Sequence, residues 1–221
     1  MSISEKLTIV AENQQKVFDA GWKVFHKAFT GNNTRTRYAG AFAQSDFSGL
    51  KFDPPIKPNT GETLFQNYNG EELPCGVDFS NIVSSSTSAQ FTFRYAEKLK
   101  RVPDLNWCVQ ERYGGTWQGC TLLETIAVIR CNENTIFPAA FSGCSGLINV
   151  TFEGTIGQND LNFTQSTKLS HDSLMGIINA LKDYSGSGTT HTVTLGSANL
   201  SADKLSDAEK AIATEKGWTL A

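Results

Sequence analysis

The sequence predicts an α/β repeat solenoid with short parallel strands, an N-terminal helical cap and a C-terminal β/α cap. Three observations predict it. A stretch in the middle of the chain repeats itself at an offset of 24 residues. The first 29 residues carry apolar side chains at alternating 4-3 spacing. Residues 161–221 alternate between strand-like and helix-like runs.

Residues 1–31 read as a helical segment. Ser2-Ile-Ser-Glu5 has capping-box spacing, and Gly31 followed by two asparagines ends the helix. Ile3, Leu7, Val10, Val17, Val24 and Ala28 form a heptad seam that Gln14 and Gly21 weaken. Phe18, Trp22, Phe25 and Phe29 add a second apolar stripe in the second half alone. Two roles stay open. The helix either caps the first repeat throughout, or residues 17–29 dock while residues 3–17 form a homo-oligomeric seam.

Residues 32–160 carry the repeat. Trp117-Gln-Gly-Cys-Thr-Leu-Leu123-Glu-Thr-Ile126-Ala-Val128 matches Phe141-Ser-Gly-Cys-Ser-Gly-Leu147-Ile-Asn-Val150-Thr-Phe152. Both have an aromatic start, Gly-Cys at +2 and +3, aliphatics at +6 and +9, and an apolar residue at +11. Weaker copies start at Phe93, Phe65 and Phe42. The Phe93 copy has Ala96 at +3 and is degraded at Asp104, and the Phe65 copy is stretched. A unit of about 20–29 residues with one short strand has the dimensions of a leucine-rich repeat. Such a unit cannot bury its apolar side alone, so copies stack and close each other's cores.

Each strand is expected at +8 to +12, with side chains alternating between faces. Ile126, Val128, Val150 and Phe152 are expected inside. Arg101, Thr125, Ala127, Ile129, Asn149, Thr151 and Glu153 are expected on an exposed strand face, the candidate binding surface.

Residues 161–221 read as a β/α run continuous with the repeats. Leu161–Phe163, Thr192–Leu195 and Trp218–Leu220 are the strands. Ser170 caps a helix carrying Leu174, Ile177, Ile178 and Leu181, and Ser206-Asp-Ala-Glu209 is a second capping box. The expected result is one sheet of parallel strands with helices crossing on one side.

Composition narrows the function. A net charge of −3, with Lys98, Lys100 and Arg101 as the only local basic cluster, argues against nucleic acid. No apolar run is long enough to cross a membrane, and no signal peptide is evident. Five cysteines without C-x-x-C spacing read as buried thiols rather than a metal site or disulfide framework. His26, His171 and His191 are scattered, and no nucleophile or phosphate-binding motif is present. Asp104 and Glu153 are the one carboxylate pair on a shared face, about two repeats apart. A glycan hydrolase built on them is the weakest reading. No enzyme activity, cofactor or metal is expected.

The repeat from Phe141 to Phe152 resembles that of BspA-like leucine-rich-repeat proteins, common on the surfaces and in the secretions of anaerobic and gut bacteria. The likeness covers roughly residues 60–165. The start, Ser2-Ile-Ser-Glu-Lys-Leu, and the end, through Ile177-Ile-Asn-Ala-Leu to Lys216-Gly-Trp-Thr-Leu220, resemble proteins encoded near prophage tail genes of gut Firmicutes. The resemblance implies a tail-associated or surface-exposed adhesion protein whose ligand is a protein or glycan on a host cell. Release of virions by lysis would account for the missing signal peptide. The alternative is a structural assembly protein whose N-terminal helix oligomerises or docks on a tail.

Overall fold

The computed structural model describes residues 42–221, so the expected helix and its 3–17 seam lie outside the described residues. The described residues fall within one compact unit. It is mixed α/β, with short parallel strands, few helices and no closed barrel among the described residues. The strands are β1 (Lys51–Ile56), β2 (Cys75–Val77), β3 (Arg101–Val102), β4 (Thr125–Cys131), β5 (Asn149–Gly154), β6 (His191–Val193) and β7 (Trp218–Leu220). Helix α1 spans His171–Ala180 and α2 spans Asp207–Glu215.

Opposite the strands runs a second set of hydrogen-bonded rows, made of consecutive turns. Alternate amides close turns within a row, as in Leu64 N–H to Gly61 O and Tyr68 N–H to Phe65 O. The intervening amides donate to the next unit. Phe65 reaches Thr92 O at 2.8 Å, Phe93 reaches Thr116 O at 2.8 Å, and Trp117 reaches Ala140 O at 3.1 Å. Turns of this kind need a left-handed residue on each side of the aromatic. Thr63, Phe91, Gly115 and Ala139 occupy the first such column, with φ of 53°, 56°, 57° and 54°. Asn67, Tyr95, Gly119 and Gly143 occupy the second.

The aromatics that open each copy stack through the core. Phe42 lies 4.7 Å from Phe65, Phe65 5.6 Å from Phe93, and Trp117 5.3 Å from Phe141. Each such pair contributes about 0.5–1.5 kcal/mol beyond its burial. The small +3 residue is explained by the same stacking. The Cys120 thiol donates to Phe93 O and the Cys144 thiol to Trp117 O, both at 3.0 Å. Cys120, Cys131 and Cys144 are buried as expected, whereas Cys75 and Cys108 are exposed.

The strands pair in the register the offset demands: Arg101 with Thr125, and Thr125 with Asn149. Within β4 the alternation breaks. Ile126 pairs with Val150 but Ile129 pairs with Phe152, so β4 spends one more residue than β5 over the same step. This bulge inverts the faces beyond it. Ile129, expected outside, is buried at 1% exposure, and Val128, expected inside, is half-buried.

The expected single sheet is instead three, ordered β1-β2, β3-β4-β5 and β6-β7. Helix α1 takes the place beside β5 where a further strand would pair. Ser170 N–H donates to Ile148 O, and Val150 N–H donates to Ser173 Oγ at 3.0 Å. Leu161–Phe163 is not a strand but a single bridge, Asn162 to Thr194. Phe163 extends the aromatic column, 4.4 Å from Phe141. Both helix starts are capped as expected, Ser170 accepting from Ser173 N–H and Ser206 forming a full capping box with Glu209.

Candidate functional site

Two surfaces carry unspent polar chemistry. On the strand face Arg101, Ala127, Asn149, Thr151 and Glu153 are exposed and Thr125 is half-buried. Ile129 does not belong to this surface, because the bulge turns it into the core. The residue that replaces it at the β4 edge is Arg130. Its guanidinium donates to both oxygens of Asp104 at 2.8 and 2.7 Å and pairs with Glu153 at 3.1 Å. It also reaches Trp107 O at 3.2 Å. Sequence reasoning missed Arg130, because simple alternation places it inside.

Asp104 and Glu153 therefore flank one cation. The Arg130 hydrogen bonds hold the Asp104 carboxyl below the ordinary range. A glycosidase general acid needs the opposite shift. Asp104 also accepts Asn106 N–H at 2.8 Å, closing a turn after β3. Asp78 and Asn132 close the same turn after β2 and β4. The apparent degradation at Asp104 is thus a turn-forming residue.

On the turn face, Phe91 and Tyr95 hold left-handed positions that Gly115 and Gly119 hold one unit later. The aromatic rings lie against those glycines. A Cβ on Gly115 would stand 2.6 Å from Phe91 Cδ1, and one on Gly119 would stand 2.3 Å from Tyr95 Cδ1. Arg94 sits against both rings, its Cζ 4.7 and 4.6 Å from their centroids. The 24-residue alignment held a signal here, since aromatic residues stand where the next copy has glycine.

The row of turns ends beside a cleft of about 580 Å³. Residues 137–142 form one wall, and Asp160, Asn162, Thr164 and Gln165 the other. At the ends of the row, side chains stand in for the carbonyls of a next unit. Phe137 N–H donates to Asp160 Oδ2 at 2.7 Å, and Gly143 N–H to Gln165 Oε1 at 2.6 Å. Between them the Ala139 and Phe141 amides have no acceptor among the described residues. Asp160 Oδ1 is buried without a partner, and burial holds this carboxyl above the ordinary range. Nothing in the sequence distinguished Asp160 or Gln165.

The histidines serve local contacts. His171 pairs with Glu209 at 2.8 Å, and His191 stacks on Tyr184 at 3.7 Å. His26 lies outside the described residues. Among the described residues no three His, Cys, Asp or Glu side chains gather to hold a metal ion. No described helix is long and apolar enough to cross a membrane. No protein-family model, curated protein or solved structure matches this chain.

Proposed function

We propose that the chain is a short leucine-rich-repeat solenoid of the BspA-like kind that recognises a protein or glycan and performs no chemistry of its own. Its setting in this reading is a phage tail or a cell surface. One observation carries it: residues 24 apart lie side by side across β3, β4 and β5. That register lines up short polar side chains that the core does not use. The proposed face is Arg101, Thr125, Ala127, Asn149 and Thr151, with the Arg130–Glu153 pair at its edge. Small side chains such as Ala127 and Thr151 leave a partner close access to the backbone.

The test is a binding screen of the full chain against arrays of cell-surface proteins and glycans, with polysaccharide turnover followed in parallel. Saturable binding without turnover is expected. Turnover that Asp104→Asn or Glu153→Gln abolishes would replace this reading with a hydrolase. No binding, together with self-association lost on removal of residues 1–16, would favour the assembly alternative.

A further inference from the structure

We infer that the cleft between residues 137–142 and 160–165 binds a neutral, hydroxyl-bearing sugar unit. The inference rests on the recognition reading above and names a ligand class and a second site for it, away from the strand face.

The chemistry follows from what the cleft leaves unsatisfied. In the preceding rows the amides equivalent to Ala139 and Phe141 donate to the next unit, Gly115 to Pro138 O at 2.9 Å and Trp117 to Ala140 O at 3.1 Å. At residues 137–143 the next stretch of chain stands back by the length of a side chain. Asp160 and Gln165 bridge the two outer amides and leave the two inner ones open. The cleft wall therefore carries two amide donors beside the Asp160 carboxyl, whose Oδ1 is buried without a partner. The buried oxygen costs free energy while unpaired.

A ligand that pairs with the two amides needs oxygens that accept, and beside the Asp160 carboxyl a group that also donates is favoured over a pure acceptor. An anion meets the Asp160 carboxylate, and a cation meets two amide hydrogens. An extended peptide pairing with the row needs a run of open amides, and here both flanking amides are already taken. Neighbouring hydroxyls on a sugar ring accept and donate at once. The volume, about 580 Å³, lies within the range of small-molecule sites. Asn162 and Thr164 supply further polar groups at the rim.

The test is an NMR titration of the ¹⁵N-labelled full chain with methyl glycosides of glucose, galactose, mannose and N-acetylglucosamine, with tetra-alanine as the peptide arm. At least one glycoside is expected to shift the Ala139 and Phe141 amides saturably. Asp160→Asn keeps an oxygen for Phe137 N–H but puts a donor where the acceptor stood, so affinity should fall at least tenfold. Its melting temperature should not fall, because a buried charge has been removed. Asn162→Ala provides a second variant that leaves both bridging side chains in place, and it should weaken binding less. Shifts confined to β4 and β5 would overturn the cleft and leave the recognition reading standing. So would tetra-alanine acting as the better ligand. Silence from all four glycosides would overturn the cleft, while the array screen decides the wider reading separately.

Discussion

Arg130 ties the turn after β3 to β5 across its own strand, gripping Asp104 at 2.7 Å and Glu153 at 3.1 Å. It stands at the edge of the proposed recognition face, so its loss should affect fold and face together. Arg130→Ala should cost about 1 kcal/mol in urea unfolding, the upper end for partly exposed pairs. The pH dependence has a definite sign. Asp104 is lowered by Arg130, so its contribution is present above the ordinary aspartate value, about 3.9. It is lost as pH falls through the lower native value. The difference between Arg130→Ala and the parent should therefore shrink in acid. A difference that is constant with pH would mean that Arg130 acts through packing alone.

Backbone positions in the stack should be far less tolerant than those in the loops. Gly154 has φ of 118°, and a Cβ there would stand 1.9 Å from Cys131 O. Gly154→Ala should cost about 3 kcal/mol or more, since strain and a backbone clash combine. Gly186 has nothing within 4 Å of an added Cβ. Gly186→Ala should stay within about 0.5 kcal/mol. Thermal unfolding of the two variants checks the contrast.

The thiols should divide by exposure. Burial pushes Cys131 and Cys144 up to about 12 and Cys120 well above the ordinary value. Cys75 and Cys108 are exposed. At pH 8 the native chain should react rapidly with a thiol reagent at these two positions, and at all five cysteines once unfolded. Mass spectrometry of the labelled chain reads the sites, and fast labelling of Cys120 would contradict the packing of the turn rows.

His171 reports on the join between the two helices. Its hydrogen bond to Glu209 raises it, while Ser206 and His171 lower Glu209 to about 2. His171 contributes fully below the ordinary histidine value, about 6.5, and this is lost as pH rises through its raised value. Glu209 contributes above the ordinary glutamate value, about 4.3, and loses this as pH falls towards 2. Between these limits the pair is complete. NMR titration should place His171 above 6.5, and Glu209→Gln should return it towards that value.

Much of this architecture was legible because stacking writes itself into spacing. The aromatic starts at 42, 65, 93, 117 and 141, the small +3 residues and the helix caps at Ser170 and Ser206 are all local patterns. The bulge in β4 was not legible, because one inserted residue changes faces without changing composition. Ile129 and Arg130 exchanged roles for that reason. The substitution of α1 for a strand beside β5 depends on Ser173 reaching Val150, a contact between distant segments. Of the strand face, every expected residue except Ile129 is at least partly exposed. The Asp160 cleft arises where one row of turns ends, which no single-residue signal marks.

The most direct measurement is the affinity of the full chain for a ligand from the array screen, before and after Ala127→Glu and Thr151→Arg are introduced together. Both side chains are exposed on adjacent strands, so the fold should hold, checked by an unchanged melting temperature. A loss of affinity of tenfold or more is predicted. Unchanged affinity in the folded double variant would contradict recognition through the strand face.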